Sequence, residues 1–530
     1  MPATYEKIIS EFKEKTGIAS LRMDCPAADE GYLEVPLADF DKACLWLHKR
    51  FNSPVMSFFA VDERKTAGVY AIYCLFLTLD GKKWLFTRAT IPQDSPRFNS
   101  LAREIYSASR FEREIKEMFG IEPAGNPDTR RLNLHDEVWP AGFYPLRKDF
   151  DSRAVQSGER GEYKFDRIDG EGVFEIPVGP VHAGIIGPGH FRFSVAGEPI
   201  INLEIRLGFT HRGVEKLFEG KDAHTGIELS ERVCGDAAFS HSLSFCRAME
   251  KIAKAELPER AQYLRAIFLE LERMYNHVND IAGIALDVGF TFAAGYAAVI
   301  KESLLGVNEK LTGSRYLKGV NVLGGVCRDI EGDKKIFLKN YLVDTGNDFN
   351  RLTAMLYSST SFMDRVDGTG ILKRKTAFDF GVTGLAGRAC GIGLDLRKNF
   401  EEVYNKVNFK AAKEEKGDVL ARLNARIKEF EESRRLIKYF LAKLDEVKTG
   451  LAAAAGPARE GFGLGYCESW RGPLLYWVKL DAAGRIERCK ITDASVHNWQ
   501  GLAYSVLGNI IPDFPVCNKS FDLSYAANDL

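Results

Sequence analysis

The chain has 530 residues, 45% of them apolar, and a formal net charge of −1 at neutral pH. That much apolar side chain can bury full cores in more than one domain, and a near-zero charge leaves no basic footprint, which sets nucleic-acid binding aside. Met1-Pro2-Ala3-Thr4-Tyr5-Glu6-Lys7 lacks a basic segment followed by an apolar one, so no secretory signal is expected. The ten cysteines include no Cys-x-x-Cys pair, which argues against a zinc ribbon or an iron-sulfur site held by this chain alone, and a disulfide framework is not expected in so large a chain without a signal.

Residues 1–150 read as one α+β domain. Strand-like runs at Val69–Leu79 and Lys83–Thr87 flank Asp80-Gly81, a strong hairpin turn, and helical periodicity follows from Ser100 to Phe119. Residues 151–172, with Ser157-Gly158-Glu159-Arg160-Gly161-Glu162 and Gly170-Glu171-Gly172, have no apolar period and read as a linker.

Residues 173–530 read as a mainly α domain with small flanking β-sheets. Pro258-Glu259-Arg260 marks a helix start, after which Leu264, Phe268, Leu271, Tyr275 and Val278 recur at three- and four-residue steps. The apolar stretch Ile281–Ile300 contains Asp287 and several small residues, and is expected as buried core rather than a membrane span. Membrane contact would then come through partner subunits. A second long helix is expected over Gly417–Val447, with Val419, Leu423, Ile427 and Phe430 on one face. Strands at Leu474–Leu480 and Ile486–Ile491 follow, across Ala482-Ala483-Gly484.

The charged stretch Phe111–Ile121, with Asn126-Pro127-Asp128-Thr129-Arg130-Arg131-Leu132 and Pro145-Leu146-Arg147-Lys148-Asp149-Phe150, resembles the 30-kilodalton subunit of respiratory complex I. That family has no redox centre in this part, so the resemblance implies that these charges dock neighbours or fold their own loop. The segments Gly179-Pro180-Val181-His182, Pro188-Gly189-His190-Phe191-Arg192, His211-Arg212-Gly213-Val214-Glu215-Lys216, Arg471-Gly472 and Gly508-Asn509 resemble membrane-bound nickel-iron hydrogenase large subunits and the homologous 49-kilodalton subunit of complex I. Both units in one chain resemble the energy-converting, formate-hydrogenlyase-type large subunits of group 4. The resemblance implies a peripheral subunit on the cytoplasmic face of the inner or plasma membrane. Its partners would be a 20-kilodalton-like iron-sulfur small subunit, a ferredoxin-like subunit and antiporter-like membrane subunits, and it would couple electron transfer from their iron-sulfur clusters to ion translocation.

Glu231–His241 resembles the Arg-x-Cys-Gly-x-Cys segment of those hydrogenases, with Cys234 retained and Ala237 where the second cysteine is due. Asp522-Leu523-Ser524-Tyr525-Ala526-Ala527 stands where the family has Asp-Pro-Cys-x-x-Cys. Nickel in that site depends on soft sulfur donors, so a nickel-iron centre is expected to be absent and no metal ligand set is assigned. One cysteine alone does not hold a metal, and Cys246 lies too far along a helix to join it. Asp236, Asp522 and Asp529 could offer oxygen to a hard cation. Gly187 stands where the family has a glutamate suited to passing protons, and with Asp529-Leu530 as the last residues the resemblance implies that the cleavable tail of nickel-loaded relatives is expected to be absent.

Other pocket positions remain. Arg471, in Glu468-Ser469-Trp470-Arg471-Gly472, resembles the arginine that overhangs the hydrogenase metal, with Trp470 replacing a proline. His241 is a proton-relay candidate, weighed against a satisfied core histidine, and His277 carries the same two readings. Arg388, Asp395 and Arg397 read as a charged cluster of the family or an ion-pair network holding helices. Cys234, His241 and Arg471 are therefore the candidate catalytic residues, and His182 and His190 the candidate lining of a quinone or acceptor cavity. Gly235 stands where complex I has a quinone-binding tyrosine, which weakens that assignment. Two alternatives stay open: a quinone oxidoreductase-type subunit, and a non-catalytic structural subunit whose cavity is filled by Trp470 and Tyr525.

Overall fold

The strand Val69–Leu77 is apolar along its whole length and buried on both faces, which a sheet strand requires only when something covers each side. In a computed structural model, which describes residues 3–530 apart from 19–21, 156–160, 183–185, 401, 448–449, 455 and 457–458, both coverings are visible. β1 (Arg22–Ala27), β2 (Glu30–Glu34), β3 (Ser57–Glu63), β4 (Val69–Leu77) and β5 (Trp84–Pro92) form one sheet in the order β1-β2-β5-β4-β3. Its pairs are antiparallel except β2 with β5. Asp80-Gly81 turns β4 into β5 as expected, with Gly81 at φ 67°, a conformation glycine adopts without steric cost. Tyr70, Ile72, Cys74 and Phe76 face α1 (Ala3–Thr16), α2 (Phe40–Phe51) and α3 (Ser109–Phe119). The alternate residues Ala71, Tyr73, Leu75 and Leu77 pack against Leu464, Leu475 and Trp477 from the far end of the chain.

Helical structure begins later than the expected Ser100: a 3-10 turn at Tyr106–Ala108 leads into α3. The charged stretch folds its own loop, since Glu117 on α3 accepts from the backbone N–H of Leu132 at 2.9 Å and Arg113 Nε donates to the Arg130 carbonyl at 2.6 Å. It also reaches the second unit, where Arg130 pairs with Glu204 at 2.7 Å. Residues 161–170 carry neither helix nor strand, and Tyr163 is held by Glu204 at 2.8 Å.

The larger unit begins with a three-stranded antiparallel sheet of β6 (Val173–Val178), β7 (His190–Ala196) and β8 (Ile200–Arg206). Its centre is α5 (Glu259–Asp287), packed among α4 (Ala238–Ala253), α6 (Thr291–Thr312), α8 (Val419–Lys443) and α10 (Phe514–Phe521), with α7 (Gly332–Ser358) outside. The five apolar positions expected on one face of α5 are all buried. So are Glu270, Glu272, Arg273, His277 and Asp280, because neighbouring elements enclose the helix on every side. β9 (Gly461–Glu468), β10 (Pro473–Leu480) and β11 (Ile486–Thr492) form an antiparallel sheet. Its outer face meets the N-terminal sheet, with Tyr32 accepting from the Trp477 indole at 2.9 Å and Ser57 bonded to Thr492 at 2.8 Å. α9 (Ala494–Ser505), α10 and α11 (Tyr525–Asp529) complete the chain.

One expectation differs. Ile281–Ile300 is not a single core segment: Gly289, at φ 81°, separates α5 from α6. Ala293, Ala297 and Ile300 are buried, whereas Leu286, Phe292 and Val299 are 53%, 70% and 69% exposed. Apolar content alone does not say which side of a helix has a neighbour. Among the described residues no helix is long and apolar enough to cross a membrane.

Candidate functional site

Four chain segments bring Cys234 and its partners together. Cys234 lies in the turn before α4, Arg471 in the turn between β9 and β10, Asp522 at the left-handed C-cap of α10, and Ser524 at the N-cap of α11. The Cys234 thiol lies 2.9 Å from Asp236 Oδ1 and 3.0 Å from Ser524 Oγ. Arg471 grips both oxygens of Asp236, at 3.0 and 2.8 Å, the forked geometry in which guanidinium and carboxylate bind most strongly. Its Nε donates to the Asp522 carbonyl at 2.6 Å, its Nη1 lies 3.6 Å from Cys234 Sγ, and its plane rests over the Trp470 ring.

The electrostatics follow from these contacts. Burial and the Asp236 charge push the Cys234 thiol well above its ordinary range, so it stays protonated. Burial by the surrounding chain works against ionisation of Asp236, whose side chain is nevertheless 40% exposed, and Arg471 outweighs it, holding the carboxyl below its ordinary value. The donors at the family's four thiolate positions are one neutral thiol, one serine hydroxyl and two alanine methyls, with a guanidinium beside them. They do not match a site of bridging thiolates. Among the described residues no group of three or more His, Cys, Asp or Glu is placed to hold a metal ion. Cys246 is buried within α4, and Asp529 is engaged elsewhere, accepting from Thr210 at 2.9 Å through its amide and 2.7 Å through its hydroxyl.

Beneath the thiol lies a layer of acids that motif reading missed. Asp236's carbonyl accepts from the Tyr275 hydroxyl at 2.9 Å and from Asn276 at 2.7 Å. Glu272 receives the Ser240 hydroxyl and the backbone N–H groups of Phe239 and Ser240 at the start of α4; burial nevertheless pushes its pKa up to about 8. Asp280 is pushed up to about 8 by burial and by Asp522. Burial opposes ionisation of Asp522 too, but Lys519, 2.6 Å away, and Arg471 keep it ionised. Arg426 bonds Asp280 at 2.7 Å. A signal was present: Glu272, Asn276 and Asp280 stand at four-residue steps, a polar stripe in an otherwise apolar helix.

The other expected residues fall in three places. His241, on the first turn of α4, bonds the Tyr476 hydroxyl at 2.7 Å and lies 4.0 Å from Asp493; burial lowers its pKa to about 4, so the ring is neutral. His277 bonds Glu429 at 2.9 Å within an ion-pair network. There Arg388 joins Glu429 at 2.8 Å and Glu468 at 2.6 Å, and Arg397 joins Asp395 at 2.7 Å and Glu270 at 3.2 Å. His190 opens β7, bonds the Gly179 carbonyl at 3.1 Å and packs on Phe165; burial lowers its pKa. His182 lies on the same connection, of which residues 183–185 fall outside the described set. This connection meets the Cys234 pocket through glycine. A Cβ added to Gly187 would stand 2.7 Å from Tyr525 Cβ and Cγ, and one on Gly189 2.8 Å from Tyr525 Cε1. The glutamate that the family carries at position 187 could not coexist with this tyrosine placement.

Residues 33–156 match the family of respiratory-chain NADH dehydrogenase 30 Kd subunits, residues 287–461 that of the 49 Kd subunits, and residues 212–281 nickel-dependent hydrogenases. Formate hydrogenlyase subunit 5 of Escherichia coli is 33% identical over 89% of this chain and 84% of its own length. The chain is a fused large subunit of the group 4 hydrogenase-like family. An NADH-quinone oxidoreductase subunit of Phocaeicola vulgatus is 30% identical over 79% of this chain and 86% of its own length. A solved relative, titled as the membrane-bound sulfane sulfur reductase, an archaeal respiratory membrane complex, aligns at 26% identity and a TM-score of 0.64. It covers 69% of this chain and 100% of its own. The α+β unit followed by a mainly α unit is therefore this family's fold, with the 30 Kd-like part first and the 49 Kd-like part second. The relatives are subunits of membrane-bound hydrogenase and complex-I-like assemblies.

Proposed function

We propose that this chain is the nickel-free large subunit of a membrane-associated, complex-I-like oxidoreductase, in which electrons held on a partner's iron-sulfur clusters are coupled to ion translocation. The partners are a 20-kilodalton-like small subunit, a ferredoxin-like subunit and antiporter-like membrane subunits. One observation carries the nickel-free reading: Cys234 faces a serine hydroxyl at 3.0 Å and a guanidinium at 3.6 Å where the metal would need sulfur. Coupling is supported by the acids underneath. Glu272 and Asp280 titrate near neutral pH, and the Asp280–Asp522 pair holds one proton between two carboxyls. An added negative charge nearby favours protonation of Asp236 or of that pair.

Elemental analysis of the assembled complex tests the reading. The expected content is far below one nickel per large subunit, with no hydrogen–deuterium exchange activity. Stoichiometric nickel together with that exchange would refute it.

A second reading, a structural subunit without a reactive pocket, is favoured by the bulk of Trp470 and Tyr525, both buried at the site. Conservative replacements of Cys234 and Arg471 separate the two. Unchanged electron transfer and ion pumping by the variant complex would favour structure alone, whereas loss of either with the complex intact favours the coupling role.

A further inference from the structure

Between the two units, beside the connection that joins them, lies a cavity of about 220 Å³ lined by Arg110, Arg113, Arg130, Arg131 and Arg206 against three carboxylates. Four of these arginines are neutralised. Arg113 pairs with Asp128 at 2.9 Å, Arg130 with Asp128 at 2.9 Å and Glu204 at 2.7 Å, Arg131 with Asp136 at 3.2 Å, and Arg206 with Glu137 at 2.5 Å. Arg110 differs. It donates from Nη2 to Asn528 Oδ1 at 3.1 Å, its buried Nε has no hydrogen-bond partner, and Asp529 attracts it through space without a hydrogen bond among the described residues. Burial, and then the neighbouring Arg113 charge, bring its pKa down to about 10, the response of a cation short of a counter-charge.

We propose that this cavity binds a small oxyanion, a phosphate or carboxylate group, with Arg110 as its principal cation. A guanidinium offers a planar fork matched to both groups. Tyr106, Asn202 and Gln500 line the same space and supply neutral donors. The arrangement spans both units: Arg110 and Arg113 belong to α3, Asn202 and Arg206 to β8, and Gln500 to α9. A bound anion would therefore clamp the 30 Kd-like unit onto the larger one. It would also compete with Asn528 for Arg110, and Asn528 lies on α11, whose N-cap Ser524 touches Cys234.

The full-length protein in its complex should bind inorganic phosphate or malonate saturably, at one site per chain, in titration calorimetry at constant ionic strength. Arg110→Gln should weaken that binding roughly tenfold or more, as removal of a charge-assisted hydrogen bond does, while Lys438→Gln, on α8 in a separate surface cleft lined by Lys410, Lys428 and Arg435, should not. Vesicles containing phosphatidylglycerol, compared with pure phosphatidylcholine, locate the source. Arg110-dependent capture by the former assigns a lipid headgroup, and saturable binding of the free anions without capture assigns a soluble ligand. A tungstate-soaked structure of the unaltered protein gives a readout independent of how the variant folds, with density expected beside Arg110. No saturable binding, equal affinity in Arg110→Gln, or tungstate only at other places overturns the proposal.

Discussion

The helix-facing side of β4 and the interior around α5 are both fully buried, yet they are built from opposite materials. The first is Tyr70, Ile72, Cys74 and Phe76, stacked on the aliphatic and aromatic faces of three helices. The second puts Glu270, Glu272, Arg273, His277 and Asp280 among Arg388, Arg397, Arg426 and Glu429. Hydrophobic burial stabilises wherever it occurs, whereas a buried charge is tolerable only with its partners in place. The sheet core needs only to be apolar and well shaped. The α5 interior has to be complete, and it surrounds the Cys234 pocket.

The largest difference should therefore come from removing one partner. Arg388→Met strands Glu429 and Glu468, which the arginine holds at 2.8 and 2.6 Å, and should cost about 3–5 kcal/mol in chemical denaturation. A loss of under about 1 kcal/mol would mean that the network relaxes as freely as an exposed pair does.

Next comes pH. Glu272 and Asp280 have folded-state pKa values near 8, above their ordinary 4.5 and 3.8. The folded protein thus keeps protons that the unfolded chain has released. Below about pH 6.5 the buried histidines, lowered to about 4, oppose this trend, but above it they are neutral in both states, and stability falls as pH rises from about 6.5 to 8, by up to about tenfold in the folding equilibrium per unit and per group. Glu112 and Glu117 on α3, and Glu468 at the end of β9, act with the same sign but only to about pH 7. The α5 acids therefore contribute to the fall between pH 7 and 8, and Glu272→Gln should make it shallower in pH-resolved thermal unfolding. An unchanged slope in that variant would take the neutral-range proton away from Glu272. Smaller still, Ile72→Val in the sheet core should cost about 0.5–1.5 kcal/mol, equally at pH 6 and pH 8.

The comparison also shows what a sequence makes legible. Asp80-Gly81 and Pro258 act locally, through turn geometry and helix initiation, and both were readable by eye. The strand itself was visible as an apolar run, but not that both its faces are buried, nor that Leu475 and Trp477, from the other end of the chain, supply the second covering. Motif resemblance found Cys234 and Arg471, because those residues sit inside recognisable segments. It did not find that Asp236 absorbs the arginine, that Asp280 meets Asp522, or that Tyr525 lies against Gly187. Each of these contacts joins distant segments and leaves no local spacing to read. For Glu272 and Asp280 the polar stripe on α5 was the available clue. His182 and His190 were grouped with the cavity by motif alone, whereas His190 bonds the Gly179 carbonyl and packs on Phe165.

The smallest predicted effect separates burial from bonding at the thiol itself. Ser524 caps α11 by accepting from Ala527 N–H at 3.0 Å and also stands 3.0 Å from Cys234. An N-cap removed from so short a terminal helix should cost about 0.5 kcal/mol, the low end for such caps. The thiol should barely respond. Cys234 is kept neutral first by burial and then by the Asp236 carboxylate, neither of which Ser524→Ala removes, and alkylation requires the thiolate. Iodoacetamide labelling of Cys234 in Ser524→Ala should therefore stay as slow as in the unaltered protein. A many-fold acceleration would show that the serine, rather than the closed interior, restrains this sulfur, and would place the pocket with the small set of bonds around α11 instead of with the charged core beneath it.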